Sequence, residues 1–224
     1  MSDLARAGHL NQFTGYTPEY GRQVWRNALI VVPWTSFLYI GYQLTNHFQF
    51  FPVRTLTATG LDRELPFLVW TVIPYFLLIG GMYLPIFLRS RELLHESLVA
   101  LTVAVLVNYS IFFFFPTVIE RPPVPAGANL AEVLYRWLIG IDSPANCFPS
   151  GHITVPAIGC WYIAKQRLRW RWPIAFVYAL LALSVLTTKQ HYAIDIVGGL
   201  FTAGLGIFVA ARWKAGWRPV AGAG

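Results

Sequence analysis

The sequence is poor in charged residues and in cysteine. Only 12% of its 224 residues are charged and 56% are hydrophobic, whereas about a quarter of the residues in a soluble domain are charged. This shortage excludes an ordinary soluble domain and predicts an all-α, polytopic membrane protein. The net charge of +7 would indicate a nucleic-acid partner in a soluble protein. In a membrane protein, the accumulation of basic residues in cytoplasmic loops explains this charge better. No nucleic-acid partner is therefore expected.

The two cysteines, Cys147 and Cys160, predict neither a disulfide nor a thiolate metal site. If the segment between them is helical, the helical rise separates them by roughly 20 Å, which is beyond the reach of a disulfide. We expect both side chains to be packing residues, because free cysteine behaves as a small hydrophobe.

Six apolar runs approach the ~20 residues that a membrane-spanning helix needs. The predicted spans are 27–46, 66–88, 97–116, 149–165, 173–189 and 192–212. They form one membrane domain, 27–212, between a cytoplasmic N-terminal segment (1–26) and a cytoplasmic tail (213–224). No signal peptide is expected, because the first apolar run begins only near Asn27 and no small-residue cleavage site follows it.

The distribution of lysine and arginine predicts the orientation of these six transmembrane helices. Of the 17 such residues, 12 fall on the side of the two termini and five on the other side. The positive-inside rule therefore places both termini in the cytoplasm and the long segments 47–65 and 117–148 outside. Within the second segment, NLAEVLYRWLIG is weakly amphipathic and predicts a short helix on the membrane surface.

The five basic residues on the outer side run against this charge bias. A basic cluster at a membrane surface suits an anionic ligand, although ordinary loop charges or nonspecific contacts with lipid head groups explain it equally well. The five are Arg54, Arg63, Arg121, Arg136 and Lys189.

The stretch HYAID, residues 191–195, pairs a histidine with an aspartate. On a helix, residues four positions apart share a face, so Asp195 would accept the Nδ1 proton of His191. The Nε2 atom would then be free to act as a nucleophile or base. The alternative is a pair that only satisfies itself at the membrane interface.

The stretch FPSGH, residues 148–152, begins an apolar run. Ser150 and Gly151 would start a helix whose first amides lack internal partners and form an anion site with the helix dipole. His152 follows in the first turn as a candidate proton donor. The alternative is a helix cap with an interfacial histidine.

A third stretch, ERPP, places Arg121 just outside the third predicted span. Its guanidinium offers a rigid fork of donors to phosphate oxygens. An anion site, an oriented histidine, a proton donor and an arginine on one side of the membrane together predict in-line attack on a phosphoryl group.

These motifs resemble those of the type 2 phosphatidic acid phosphatase superfamily of membrane lipid phosphatases. That superfamily carries K-x6-R-P, then P-S-G-H, then S-R-x5-H-x3-D. This sequence has R-P at Arg121–Pro122, P-S-G-H at Pro149–His152 and H-x3-D at His191–Asp195, and the resemblance covers residues 60–205. It implies the six-helix fold and no metal or organic cofactor.

The resemblance also assigns roles to the motif residues. It implies that His191 forms a phosphohistidine, that Asp195 orients it and that His152 protonates the leaving group. The phosphate-binding groups would be Arg121, Ser150 and the Gly151 amide.

Two positions depart from the superfamily pattern. The motif lysine falls at Phe114 and the third-motif arginine falls at Val185. With TTKQHYAID and LDRELPF (residues 61–67), these departures resemble the branch of inositol phosphorylceramide and sphingomyelin synthases, which transfer a phosphorylated head group between lipids. Lys189 is predicted to supply the missing positive charge at the substrate, although it could equally snorkel to head groups.

The sequence therefore predicts an enzyme of a bacterial inner membrane or another cell membrane, with its active site facing outward. As a lipid phosphatase or phosphotransferase it would cleave a phosphoester of a membrane lipid; sphingolipid-synthase-like head-group transfer is the alternative. Alternatively, His152, His191 and Asp195 could bind zinc, which would give the site a different chemistry. A non-catalytic lipid-binding or lipid-translocating protein is the alternative of another class. Neither the lipid nor the oligomeric state is predicted.

Overall fold

The computed structural model describes residues 17–216 of the chain, with side chains described through Trp213. Nearly all of the regular structure is helical, which confirms the predicted all-α class. In chain order the elements are α1 (Pro18–His47), β1 (Arg54–Thr55), α2 (Gly60–Glu64), α3 (Val72–Gly80), α4 (Arg91–Phe114), β2 (Thr117–Val118), α5 (Leu130–Ile141), α6 (Gly151–Gln166), α7 (Arg171–Thr187) and α8 (Ala193–Gly216). Short 3₁₀ segments flank α3 (Val69–Thr71 and Gly81–Phe87) and precede α7 (Leu168–Trp170).

Among the described residues, five helical segments are long and apolar enough to cross a membrane. They are Pro18–His47, Val69–Phe87, Arg91–Phe114, Leu168–Thr187 and Ala193–Trp213. Large apolar side chains on their outer faces, such as Phe37 and Phe176, are about two-thirds exposed, which suits contact with lipid. The remaining predicted span, 149–165, coincides with α6, whose 16 residues fall short of the usual ~20. Six spans and the cytoplasmic placement of the termini therefore stay predictions.

Side-chain caps set where the helices begin. Thr17 caps α1 by accepting a hydrogen bond from the Tyr20 amide, so this helix starts nine residues before the predicted span. The rest of the predicted N-terminal segment, 1–16, and residues 217–224 of the predicted tail lie outside the described residues. A reciprocal capping box between Asn129 and Glu132 starts α5, which confirms the short helix predicted for NLAEVLYRWLIG.

Helix α6 lies at the centre of the bundle, in contact with α3, α4, α7 and α8. Gly199 in α8 allows one close approach, because a β-carbon there would lie 2.6 Å from the carbonyl oxygen of Ser150. Small residues permit such close contact between helices. The start of α6 is thereby fixed against the first turns of α8.

The two long segments between helices are joined to each other. β1 and β2 form a parallel pair in which Arg54 faces Thr117 and Thr55 faces Val118. Beneath them, Ile119, Cys147 and Tyr192 form a small buried cluster. Cys147 is buried, Cys160 is partly buried and both are free thiols, as expected. The joined segments cover the end of the bundle at which α6 and α8 begin.

Candidate active site

The predicted pairing of His191 with Asp195 is present, but it does not arise from a shared helix face. His191 lies in the turn before α8, which begins at Ala193. Asp195, in the first turn, points back: its Oδ2 atom accepts a hydrogen bond from the Tyr192 amide (2.8 Å) and lies 3.3 Å from Nδ1 of His191. Asp195 is 0% exposed and His191 only 4%. The carboxylate therefore fixes both the turn and the imidazole.

His152 continues this chain of polar contacts. Its Nδ1 atom lies 3.0 Å from Nε2 of His191, and its ring lies between those of Tyr42 and Tyr75. With the Nδ1 proton of His191 directed to Asp195, Nε2 of His191 is an acceptor and His152 is the donor. The three side chains thus form one line, Asp195–His191–His152. Across residues 17–213, no group of three or more His, Cys, Asp or Glu side chains is arranged to hold a metal ion.

Ser150 is not a conventional helix cap. It occupies the N-cap position of α6, yet its side chain makes no capping hydrogen bond. Its amide donates to the Asp195 carbonyl (3.0 Å), while its buried hydroxyl has no partner among the described residues. Next to it, a β-carbon at Gly151 would meet nothing within 4 Å. A polar hydroxyl and open space therefore coincide at the positive end of α6, which is where an anion binds favourably.

Arg121 is held by a carboxylate that the sequence analysis did not single out. Its Nη2 atom donates to Oδ2 of Asp142 (3.2 Å) and to the Ser143 carbonyl (3.1 Å), and Nη1 donates to the Asp142 carbonyl (2.5 Å). The Tyr42 hydroxyl donates to the other carboxylate oxygen of Asp142 (2.5 Å). The Arg121 side chain is only 13% exposed, and its buried Nε atom has no partner among the described residues.

Lys189 makes contacts other than those predicted for it. Its backbone has a positive φ of 54°, and its ammonium donates to the carbonyls of Asp62 and Leu65, both at 2.6 Å. Asp62 in turn accepts a hydrogen bond from the Ala193 amide at 2.8 Å. The turn that carries His191 is thus fastened to α2 at both of its ends. The Lys189 ammonium contributes two of these hydrogen bonds.

A largely apolar cavity of about 380 Å³ reaches the site from within the bundle. Its walls come from α1, α3, α4, α5 and α6, and include Phe112 and Trp137. At one end it is lined by Asp142, Gly151 and His152. This volume is typical of a small-molecule site, and it joins an apolar space to the polar groups of the motif.

Comparison with known proteins agrees with this chemistry. A family model described as the PAP2 superfamily matches residues 67–209, more than half of the 224-residue chain. The chain belongs to the PAP2 superfamily. No curated protein and no solved structure matches it. PAP2 superfamily members are typically phosphatases or phosphotransferases of phosphorylated lipids, so this is an integral membrane enzyme of that general kind. The synthase-like branch stays a prediction.

The site contains residues that the PAP2 motifs do not name. The structure brings His191, Asp195, His152 and Ser150 into direct contact, and Asp142 joins Arg121 to the cavity beside His152. Asp62, Tyr42 and Asp142 were not predicted as site residues, because no motif spacing marks them. Asp62 lies within LDRELPF, but that stretch indicated only a family branch.

Proposed function

We propose that this PAP2 enzyme cleaves a phosphoester of a membrane lipid at its outer face, with His191 as the nucleophile. The observation that carries the proposal is the enclosed line Asp195–His191–His152. It supports a reactive role, because a carboxylate that accepts the Nδ1 proton leaves Nε2 with the lone pair that attacks phosphorus. An interfacial pair that only satisfied itself would need no second imidazole.

In the first step, Nε2 of His191 forms a bond to phosphorus while the bond from phosphorus to the lipid oxygen breaks. His152 donates its proton to that departing oxygen. The contact between the two rings gives way as the phosphoryl group enters. Arg121, the Ser150 hydroxyl and the Gly151 amide hold the phosphoryl oxygens, and their preorganised donors offset the charge that develops there.

In the second step, water or a lipid hydroxyl attacks the phosphohistidine. His152 takes the proton of the attacking group, and the nitrogen–phosphorus bond breaks to restore His191. The apolar cavity that ends at His152 supports a lipid substrate, because an acyl chain would fill it while the head group meets the histidines.

A second candidate, transfer of a phosphorylated head group to a lipid alcohol, is favoured by the charge around the site. Asp142 neutralises Arg121, and the Lys189 ammonium is bound by carbonyls. The two positions at which the superfamily has basic residues are exposed Phe114 and fully buried Val185. Little net positive charge is left for a doubly charged phosphomonoester, whereas a phosphodiester carries a single negative charge.

The test uses purified protein in detergent with phosphomonoester and phosphodiester lipids labelled at phosphorus. We expect an acid-labile, base-stable labelled protein after rapid quenching, and its absence from His191→Ala. Adding an unlabelled lipid alcohol distinguishes the two candidates, since transfer moves the label to that alcohol and hydrolysis releases it into water. Binding of these lipids without any cleavage would contradict both candidates and favour the non-catalytic alternative.

A further inference from the structure

Two tyrosines beside the site bury hydroxyl groups that have no hydrogen-bond partner. Tyr75 in α3 and Tyr135 in α5 are both 0% exposed. Neither hydroxyl makes a hydrogen bond of normal geometry within residues 17–213. A buried hydroxyl without a partner destabilises the fold, and such groups in native proteins call for an explanation.

Both tyrosines belong to the buried cluster that includes Ile153, the neighbour of His152 in α6. The Tyr75 ring lies against the His152 imidazole, with ring centroids 5.2 Å apart, and its hydroxyl lies in the electrostatic field of Asp142 and Arg121. The Tyr135 hydroxyl interacts with Arg121 in the same way and lies beside the side-chain amide of Gln190. Helices α3 and α5 thus bring two separate hydroxyls within electrostatic reach of Arg121.

Four of the unpartnered polar groups of this region are hydrogen-bond donors. They are the Ser150 hydroxyl, Nε of Arg121 and the two tyrosine hydroxyls, and none makes a hydrogen bond of normal geometry to a described residue. Two buried acceptors, Oδ1 of Asp195 and Oε1 of Gln190, are without such a bond as well. A set of unsatisfied donors calls for an acceptor that has several oxygen atoms. A phosphoryl group has that chemistry, and the helix start at Ser150 favours its charge.

We propose that the hydroxyls of Tyr75 and Tyr135 donate hydrogen bonds to the oxygens of the phosphoryl group bound at His191. This inference rests on the proposed function and extends the anion site from α6 to α3 and α5. Neutral donors hold phosphoryl oxygens without adding positive charge, which fits a site whose arginine is already paired with Asp142.

The test substitutes Tyr75→Phe and Tyr135→Phe, which remove a hydroxyl and keep the packed ring. Inorganic orthovanadate, which adopts the five-coordinate geometry of phosphoryl transfer, is the probe, and its affinity is measured by inhibition and by thermal shift in detergent. Each variant should lose about 10–100-fold in vanadate affinity and in kcat/KM, the range for one hydrogen bond to a charged group. The melting temperature of Tyr75→Phe without vanadate should not fall, because its hydroxyl has no hydrogen-bond partner among the described residues. That of Tyr135→Phe should fall only by the weak contact with Gln190.

Tyr162→Phe is the matched control. Tyr162 is also 0% exposed, but its hydroxyl donates to Glu96 (3.4 Å), far along α6 from the site. This variant should melt at a lower temperature and bind vanadate normally.

If Tyr75 and Tyr135 had only a structural role, their variants would also melt at a lower temperature and bind vanadate normally. That result would overturn the inference while leaving the proposed function intact. A wild-type protein that neither cleaves a lipid phosphoester nor binds vanadate would overturn both.

Discussion

Two buried carboxylates lie at opposite ends of the helix bundle and are partnered in different ways. At one end, Glu96 in α4 accepts a hydrogen bond from Lys165 near the end of α6 (2.6 Å), and the Lys165 side chain is 41% exposed. At the other end, Asp195 is paired with His191, and both side chains are at most 4% exposed. The exposed Lys165 leaves its ion pair accessible to the surroundings, whereas the buried His191 makes a further contact with His152.

The difference separates an ion pair that anchors helices from one to which we assign the proposed chemistry. A partly exposed ammonium is screened by its surroundings, so its main effect is to hold α4 against α6. An enclosed imidazole takes its protonation state from the groups that touch it. The enclosed line also ends beside unpartnered donors and the largely apolar cavity. Four predictions would sharpen or break this distinction.

The largest effect is expected at the enclosed end. His191→Ala should abolish turnover of a lipid phosphoester while the protein stays folded, because no phosphohistidine can form. Lys165→Met at the open end should retain turnover within about twofold but lower the free energy of unfolding by about 1–3 kcal/mol, since it leaves a buried carboxylate without its cation. Turnover in detergent and thermal unfolding of both variants measure this contrast. Wild-type turnover by His191→Ala would contradict the catalytic role proposed for His191.

The next effect separates the two histidines of the line. General acid catalysis typically contributes ~10²–10⁴-fold, so His152→Ala should lose about that factor with a lipid phosphate, whose alkoxide needs a proton to leave. With p-nitrophenyl phosphate the loss should be far smaller, because nitrophenolate leaves without one. His191→Ala should fail with both. Equal losses for His152→Ala on the two esters would make His152 a phosphate-binding residue.

A smaller effect is expected from the fastening of the His191 turn. Lys189→Met removes both hydrogen bonds to α2 and should lower kcat about 10-fold, the size of one charged hydrogen bond, with little change in KM. Lys189→Arg keeps the charge and should recover part of the rate. A raised KM for phosphate-bearing substrates at constant kcat would instead support the direct substrate contact predicted from the sequence.

The smallest effect concerns stability in acid. Burial would raise the pKa of the Asp62 carboxyl, but hydrogen bonds from Thr59 and the Ala193 amide, with the charge of Lys189, outweigh it and hold the pKa below its usual value of 3.8. A lowered pKa in the folded state means that Asp62 stabilises the fold above its unfolded pKa. That contribution is lost as pH falls through the folded pKa.

Melting temperatures below pH 3.8 would test this expectation. The wild type should lose more of its melting temperature on acidification than Asp62→Asn, which lacks the charge at every pH. Parallel pH profiles for the two proteins would show that the Asp62 charge does not hold the turn.

The sequence predicted the parts of the fold and site that depend on neighbouring residues. The helical class, the short helix at 130–141 and the contact of His191 with Asp195 all follow from local patterns. The stated reason for that contact was wrong, because a turn and not a helix carries His191. Local patterns could not place Asp142 beside Arg121, or Tyr75 beside His152, since packing of separate helices creates those contacts.

Lys189 shows how little a motif says about the direction of a side chain. It lies two positions from His191, and this closeness led to its prediction as a substrate contact. Its positive φ of 54° belongs to a turn, and its ammonium is bound to α2 through carbonyls more than 120 positions earlier in the chain. Which way a side chain leaves such a turn depends on tertiary contacts that spacing does not contain.

The hydrogen bond from the Ala193 amide to Asp62 has a consequence for how the enzyme is made. The two residues are 131 positions apart, so at ordinary rates of synthesis Asp62 waits on the order of 10 s for its partner to leave the ribosome. His191, the proposed nucleophile, and Asp195 come later in the chain than all the helices that wall the cavity. On the proposed mechanism, a nascent or prematurely terminated chain can thus enter the bilayer with its cavity walls in place and still be unable to cleave a lipid phosphoester. Catalytic competence begins only once α8 has been made.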